Sequence, residues 1–308
     1  TVLSRGLGDV YKRQVNGLGK LQLTGGSGHV FGAGCDGGNG EVEILNSASA
    51  SIAAGAIMPA LEVGGTSTVT TTGTGTIFFN EGNVNDRALN VTGGTISMGS
   101  LNVTIGANDV YISAGTINAG SATWTSSGKF DVSGTAAFNG QTATINVNEE
   151  FIMSGGTFTS TSNTFSVERQ WNQSGGTFNH NNGKVIMDLS SNYNFTGSPA
   201  FYDFELNGTS DTRNLEIQSG STPTVTNGIT CTNGQIQGLG KIQLTGGTAH
   251  TFAATCDGGN GEVEVLNSAN VSIAGGARLP SFEVGGTSVV TTSGSGTVYF
   301  NEGNATDR

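Results

Sequence analysis

The sequence predicts an all-β protein built as a parallel β-solenoid, or β-helix, with about 20 residues in each coil. Three observations carry this prediction: a long internal duplication, a shorter period of about twenty residues between the two copies, and a composition rich in strand and turn formers. The crossover rule for parallel strands favours a right-handed coil. Tandem β-sandwich modules are the alternative, but they should show hairpin turns about every 8–12 residues.

The duplication defines the organisation of the chain. Residues 17–87 recur as residues 238–308, displaced by 221 positions, and about 50 of the 71 aligned positions are identical. Most replacements are conservative, such as Leu21 for Ile242. This similarity predicts a tandem array of 221-residue super-repeats. We therefore expect residues 15–308 to form a single continuous solenoid that is truncated at both ends.

A finer period lies between the two copies. A threonine follows a small or glycine-rich turn at intervals of 21, 19, 22 and 20 residues. Large apolar residues stand before and after these threonines, which predicts two interior ladders of side chains stacked about 4.8 Å apart. The first ladder is predicted as Leu89, Tyr111, Phe130, Phe151 and Trp171, and the second as Ile96, Ile117, Ala136, Phe158 and Phe178.

Shorter alternating segments are predicted as strands. The first and third residues of 130–132 and 151–153 should point inward, because successive side chains of a strand alternate between its faces. In the first copy the predicted strands are residues 20–24 (KLQLT), 41–45 (EVEIL), 60–63 (ALEV) and 76–79 (TIFF). Residues 80–87 (NEGNVNDR) are predicted as a polar loop, in which Glu81, Asn83 and Asp86 offer oxygen atoms.

Composition sets limits on function. Gly accounts for 51 of 308 residues and Pro for 4, while 35% of residues are hydrophobic and 11% charged. Many short strands joined by Gly, Asn and Ser turns satisfy these proportions. The net charge of −11 disfavours nucleic-acid binding, which needs a basic face. The sequence has no apolar run of about 18 residues, so no membrane span is predicted in it.

The first fourteen residues differ from everything that follows. They hold three of the twelve Lys and Arg residues and have no repeat counterpart. Residues 4–14 (SRGLGDVYKRQ) resemble the in-frame translation of a transposase-type sequencing-library adapter. We therefore expect residues 1–14 to be non-native and the chain to be an internal fragment of a longer reading frame from environmental DNA. A short basic leader is the alternative, although an apolar region typical of a signal peptide is lacking.

Residues 195–207 carry a second resemblance. The segments FTGS and FYDFELN resemble a phrase of large bacterial surface proteins, F/I-x-G-S-x-x-F-Y-x-L-x-I-N, that precedes a strand-rich coil. The likeness extends loosely over residues 184–244, with Asp203 and Phe204 where the pattern often has Asn and Leu. It implies a secreted or surface-displayed, adhesin-like β-solenoid and no enzyme.

The positions of the three cysteines predict which of them can form a disulfide. Cys35 and Cys256 are equivalent in the two copies, and the position equivalent to Cys231, residue 10, falls within the adapter-like segment. Cys231 and Cys256 are separated by about one coil, and adjacent coils bring Cα atoms within disulfide range. We therefore predict a Cys231–Cys256 disulfide, with buried free thiols as the alternative. Zinc is disfavoured because the histidines do not stand at ligand spacing from the cysteines.

A glycine-rich segment, DGGNGE, raises the question of calcium. Calcium-binding repeats use glycines to turn backbone carbonyls inward and an aspartate to supply charge. Here Val42 follows the segment where that aspartate would be needed, so a glycine-rich turn is favoured over a metal site. The weak metal-ligand candidates are Asp36, Asn39 and Glu41 in the first copy and Asp257, Asn260 and Glu262 in the second.

Catalysis is not expected. β-Helix polysaccharide lyases and hydrolases group carboxylates on one face of neighbouring coils. Glu149 and Glu150 are adjacent and would point to opposite faces, whereas Glu41 and Glu43 share a face but recur in the second copy, which suits a repeated surface. A threonine-rich run at residues 66–76 raises ice binding as a minor alternative, although its threonines are irregularly spaced.

These observations favour a structural or adhesive segment of a large bacterial cell-surface or secreted repeat protein. The expected partners are polysaccharide or surface glycans, or neighbouring copies of the chain itself. A carbohydrate-active β-helix enzyme is the alternative. An exposed groove with converging acidic residues would favour the enzyme, and a uniform Thr, Asn and Ser surface would favour the structural role.

Overall fold

A computed structural model describes residues 19–80 and 85–300, together with the backbone of two short strands at residues 2–4 and 10–11. The described residues are all-β without a helix, and their parallel strands stack as a β-solenoid of about 13 turns. This confirms the predicted parallel β-solenoid. The chain divides into two compact units, residues 1–163 with 175–177 and residues 164–174 with 178–308.

The first unit repeats three strands in most of its coils, and they stack coil upon coil into three columns. Its strands are β1 (Val2–Ser4), β2 (Val10–Tyr11), β3 (Lys20–Leu23), β4 (His29–Phe31), β5 (Glu41–Ile44), β6 (Ser49–Ala53), β7 (Ile57–Met58), β8 (Ala60–Val63), β9 (Thr68–Thr72), β10 (Thr76–Phe79), β11 (Arg87–Ser97), β12 (Asn102–Ile105), β13 (Asp109–Asn118), β14 (Thr123–Ser126), β15 (Phe130–Val132), β16 (Ala137–Asn139), β17 (Thr144–Val147), β18 (Phe151–Met153) and β19 (Thr157–Thr159).

The three columns of the first unit are formed by parallel pairing between successive coils. The first column is β3–β5–β8–β11–β13–β15–β18 and the second is β4–β6–β9–β11–β13–β16–β19. The third column is β7–β10–β12–β14–β17. The long strands β11 and β13 run through a corner and so belong to the first two columns.

The second unit is built in the same way. Its strands are β20 (Thr164–Val167), β21 (Trp171–Gln173), β22 (Thr177–Asn179), β23 (Lys184–Met187), β24 (Tyr193–Thr196), β25 (Ala200–Asn207), β26 (Asn214–Ile217), β27 (Thr224–Asn233), β28 (Gln235–Gln237), β29 (Lys241–Thr245), β30 (His250–Phe252), β31 (Glu262–Leu266), β32 (Asn270–Ala274), β33 (Arg278–Leu279), β34 (Ser281–Val284), β35 (Val289–Ser293) and β36 (Tyr299–Phe300). One column runs β20–β23–β25–β27–β29–β31–β34, and β27 also starts the column β27–β30–β32–β35.

The alternation read from the sequence is confirmed in these strands. β15 and β18 bury their first and third residues, and the segments predicted from residues 20, 41, 60 and 76 onward are β3, β5, β8 and β10. Residues 81–84 of the predicted polar loop, which include Glu81 and Asn83, lie outside the described residues. Arg87 of that segment already belongs to β11.

The first predicted ladder is wrong at Tyr111. Val110 is the residue that pairs with Leu89 and Phe130, and it is fully buried. Because side chains alternate along β13, Tyr111 must then face outward. Its ring lies under the guanidinium of Arg87, with 3.5 Å between Cζ and the ring centroid.

The second predicted ladder is wrong at Ala136. Phe138 pairs with Ile117 and Phe158, and its ring stacks on that of Phe158 with 4.7 Å between centroids. Ala136 is buried in the corner that precedes β16. The corner between Val132 and Ala137 has one residue more than the equivalent corners of the two adjacent coils, between Ile112 and Thr116 and between Met153 and Thr157, and this extra residue displaces the ladder.

Some glycine corners are required by close approach between coils. Gly120 has a φ of 80°, and a Cβ placed there would lie 1.8 Å from the carbonyl oxygen of Gly99. Gly220 has nearly the same φ of 82°, but a Cβ there would meet no atom within 4 Å. Substitutions at Gly220 and Gly120 therefore distinguish the cost of backbone strain alone from the cost of strain combined with a steric conflict.

We expect Gly220→Ala to lower the free energy of unfolding by about 1 kcal/mol, the cost of a left-handed backbone for an L-residue. Gly120→Ala should cost about 2 kcal/mol more, because its methyl group also forces the neighbouring coil to move. Urea unfolding of both variants measures this difference. Equal losses would show that the coils can separate at Gly99 without cost.

Candidate functional site

A lysine-capped pair of glutamates stands on the outer face of the first column. The register of β3 and β5 places Lys20 beside Glu41 and Gln22 beside Glu43. Lys20 Nζ lies 2.9 Å from Glu41 Oε2 and 2.5 Å from Glu43 Oε1, and Gln22 Nε2 donates to Glu43 Oε2 at 2.5 Å. Both glutamates are buried, with 5% of their surface exposed. Two buried carboxylates are thus stabilised by one ammonium group and one amide.

The same network recurs in the second copy. Lys241 donates to Glu264 Oε1, and Gln243 Nε2 donates to Glu264 Oε2 at 2.6 Å. Burial opposes ionisation of Glu264, yet the hydrogen bonds from Lys241 and Gln243 leave its pKa below the ordinary value. The hydrogen bond to Glu264 raises the pKa of Lys241, as the bond to Glu43 does for Lys20. The network therefore belongs to the repeat.

Two acidic groups arise from this arrangement within the described residues. Each group contains three glutamates, and within a group one carboxylate oxygen from each glutamate lies within 4.8 Å of the others, as metal ligands would. In the first group, however, the ammonium of Lys20 already sits against two of the three carboxylates. A metal ion would have to displace that lysine, so we assign the first group no metal. The groups are Glu41, Glu43 and Glu62, and Glu262, Glu264 and Glu283.

The predicted calcium ligands of the second copy have separate partners. Asp257 accepts a hydrogen bond from Gln235 Nε2 at 2.5 Å and lies 3.8 Å from Arg278 Nε. Asn260 Oδ1 accepts the backbone N–H of Gly238 at 3.1 Å. Glu262 belongs to the acidic group described above.

In the first copy, Glu41 joins Glu43 and Glu62, and Asp36 is in neither acidic group. Asp36 forms an isolated parallel bridge with Ile57, and the following Gly37 N–H donates to Ile57 O. A role for Asp36 or Asn39 in calcium binding stays a prediction.

A polar stripe continues along the first column beyond the glutamates. Asn90 Nδ2 donates to Glu62 Oε2 at 3.0 Å, and Arg87 Nη1 donates to Asn90 Oδ1 at 3.3 Å. Tyr111 and Asp131 follow in register on the next two coils. Burial raises the pKa of Asp131, which the nearby Arg87 opposes, and Asp131 Oδ1 is buried without a hydrogen-bond partner.

The proposed opposite orientation of Glu149 and Glu150 does not arise on a strand, because both residues precede β18.

The second column presents a face without charged side chains. From β6 onward its outward positions carry hydroxyl or amide groups, except for Ala53 and Ala137, and several are hydrogen-bonded from coil to coil. Ser49 and Thr68 hydroxyls lie 2.8 Å apart, and Asn139 Nδ2 donates to Asn118 Oδ1 at 2.9 Å. We name this the hydroxyl–amide face: Ser49, Ser51, Thr68, Thr70, Thr95, Ser97, Thr116, Asn118, Ala137, Asn139, Thr157 and Thr159.

Only part of the threonine-rich run at residues 66–76 joins this face. β9 contributes Thr68 and Thr70, while Val69 is buried between them and Thr71 donates to Met98 O at 2.6 Å. On the other coils the face combines further threonines with serine, asparagine and one alanine. Ice binding stays a prediction.

Cys231 and Cys256 form the disulfide expected from the sequence. Their Cα atoms are 5.5 Å apart, and both side chains are buried. The bridge closes a sequence separation of 25 residues and ties β27 to the bend after β30. Cys35, the equivalent of Cys256, is a buried free thiol, and burial raises its pKa.

His250 is buried beside β27 in a fixed tautomer. The backbone N–H of Ile229 donates to His250 Nδ1 at 3.0 Å, so Nδ1 carries the lone pair. Nε2 then carries the proton and donates to Gly246 O at 2.6 Å. Burial lowers the pKa of His250, against the opposing effects of Gly246 O and the Asp203 carboxylate.

The lowered pKa of His250 predicts a loss of stability in acid. Between that pKa and the unfolded value of about 6.5, the unfolded chain binds more protons, so unfolding becomes easier as the pH falls. The contribution should reach about 1.4 kcal/mol per pH unit in that window. Urea unfolding at several pH values should show a shallower dependence for His250→Gln than for the wild type. Equal slopes would mean that His250 does not titrate differently on unfolding.

No protein-family model matches the chain, and no curated protein or solved structure is significantly similar to it. Function must therefore be argued from the chain's own surface. Across the described residues, there is no helix with the length and apolar character needed to cross a membrane.

The sequence prediction missed the burial of the paired glutamates. A signal was present, because Lys20-x-Gln22 stands 21 residues, or one coil, before Glu41-x-Glu43, and the same spacing occurs in the second copy. Opposite charges one coil apart are brought side by side in a parallel solenoid. Asp131 carried no comparable signal, because its environment depends on Arg87, which lies two coils away.

Proposed function

We propose that this chain is a structural and adhesive segment of a bacterial cell-surface or secreted repeat protein and has no catalytic role. The hydroxyl–amide face carries the proposal. It lines up uncharged donors and acceptors on six successive strands of the second column, from β6 to β19. A ligand with a repeating pattern of hydroxyl groups can bond to many such coils at once, which strengthens weak single contacts.

One further observation supports an extracellular setting, and a second limits the choice of partners. The Cys231–Cys256 disulfide is a bond that persists in oxidising compartments and is rare in the cytosol of mesophiles. The net charge of −11 favours solubility and disfavours association with anionic polymers. The fitting partners are therefore neutral polysaccharides or surface glycans, or a second copy of the same face.

Retention on insoluble polysaccharides tests the adhesive role. We expect the purified chain to be retained on cellulose, chitin or starch granules, and Thr70→Lys combined with Asn118→Lys to reduce retention at least about tenfold by breaking the face. Thr125→Lys is the matched control, since Thr125 faces outward on β14 of the third column. Lack of retention on all three materials, or equal retention of the double variant, would overturn the proposal.

Glycan cleavage is the second candidate function, and Asp131 is the observation that favours it. A carboxyl group with a raised pKa can serve as a general acid, and Asp131 lies near the carboxylates of Asp109 and Glu150. Release of new reducing ends that Asp131→Asn abolishes would establish this candidate. No release from polysaccharides that the chain retains would eliminate it.

A further inference from the structure

A surface groove interrupts the outer face of the second unit. It has a volume of about 220 Å³ and is lined by Lys184, Asp203, Asn227, Gly228, Thr230 and Ala249, among others. This volume is below the 300 to 1,000 Å³ typical of pockets for drug-sized ligands. The groove can therefore accept one small polar ring.

The register of three successive strands creates the groove. Lys184 of β23, Asp203 of β25 and Gly228 of β27 are aligned side by side, so two long polar side chains are followed by a position with none. A Cβ at Gly228 would lie 3.0 Å from Ala249 Cβ and 3.1 Å from Asp203 Oδ1. Ala249 and Asp203 therefore already pack closely against Gly228, and all three residues line the groove.

The polar groups around this space are held in place by their own partners. Lys184 Nζ donates to Glu205 Oε2 at 3.0 Å, and Thr232 Oγ1 donates to Glu205 Oε1 at 3.2 Å. Asn227 Nδ2 donates to Asp203 Oδ1 at 2.8 Å. An ammonium has three N–H donors and a carboxylate about four acceptor positions, so Lys184 and Asp203 retain capacity for a ligand. Preorganised groups of this kind lower the cost of binding.

The charges select against ionic ligands. A carboxylate or phosphate would meet Asp203 and Glu205, and a cation would meet the ammonium of Lys184. A neutral ligand with several hydroxyl groups can instead donate to Asp203 and accept from Lys184 and Asn227. We propose that this groove binds one neutral sugar residue of a polysaccharide, an inference that rests on the proposed adhesive function and names a contact point whose residues are not part of the hydroxyl–amide face.

Nuclear magnetic resonance titration tests the groove directly. The probes are glucose, galactose, mannose and N-acetylglucosamine, with an expected dissociation constant of about 1 mM for the preferred sugar. Ala249→Leu should weaken that binding at least tenfold, because its side chain fills the groove from an exposed position. Thr251→Leu is the control, since it places the same side chain on exposed β30 outside the groove lining.

The outcomes separate this inference from the adhesive role. Thermal unfolding first establishes that both leucine variants are folded. Binding that is lost in Ala249→Leu and kept in Thr251→Leu supports the groove. Saturable binding that Ala249→Leu leaves unchanged, or no binding by the four sugars, overturns it. Even then, retention of the wild type on insoluble polysaccharide would still support the adhesive role. That retention is tested by substitutions at Thr70 and Asn118, which do not line the groove.

Discussion

Trp171→Ala should lower the free energy of unfolding by about 3 to 5 kcal/mol, the cost of removing a large aromatic side chain from a packed core. Trp171 is fully buried on β21. Its ring centroid lies 5.2 Å from that of Phe178, 5.3 Å from that of Phe201 and 5.6 Å from that of Phe195. The substitution would leave a cavity that these three rings cannot close without leaving their own coils.

Equilibrium urea unfolding followed by circular dichroism measures this loss. Trp171→Phe should retain part of the stability, because it keeps an aromatic ring in the stack. Asn172→Ala is the matched control, since it removes an outward side chain from the same strand and should change stability by less than about 0.5 kcal/mol. A loss in Trp171→Ala no larger than in the control would show that the aromatic stack is not tightly packed.

Loss of the disulfide should have an effect of similar size. Replacing both Cys231 and Cys256 with alanine should lower the free energy of unfolding by about 3 to 4 kcal/mol, because the open chain gains entropy when a loop of this length is released. The separation of 25 residues places the bridge between two neighbouring coils. A reducing agent should destabilise the wild type by a similar amount and leave the double variant unchanged.

Cys35→Ala provides the control for this experiment. Cys35 is a buried free thiol, so its replacement removes only a small side chain and adds no sensitivity to reductant. A wild type whose unfolding midpoint does not respond to reductant would contradict the predicted contribution of the bridge.

The sequence predicted the parts of the fold that depend on period. The inward positions of β15 and β18 and the strands of the first copy follow from alternation, and alternation is local. Tyr111 and Ala136 were assigned wrongly because ladder membership depends on the exact number of residues in each corner. One added residue between Val132 and Ala137 was enough to move Phe138 into the ladder.

The polar sites were harder to predict for a different reason. The groove lies where Lys184, Asp203 and Gly228 align on neighbouring strands, and that register includes a bulge between Phe201 and Asp203. A bulge shifts the partners of every following residue in the strand, and the sequence gives no sign of where it falls. The hydroxyl–amide face, by contrast, needs only the period and the abundance of Thr, Ser and Asn.

The lysine-capped glutamates have a consequence for fidelity of folding. Lys20 pairs with Glu43 as Lys241 pairs with Glu264, so a strand of one copy would find compatible partners in the other. Neighbouring repeats of such similarity are prone to exchange segments during folding. In this chain a disulfide ties Cys256 of the second copy to Cys231, which precedes that copy, while Cys35 of the first copy remains a thiol. Once the disulfide has formed, Cys256 of the second copy is fixed beside Cys231. Exchange of strands between the two copies would then require this disulfide to break.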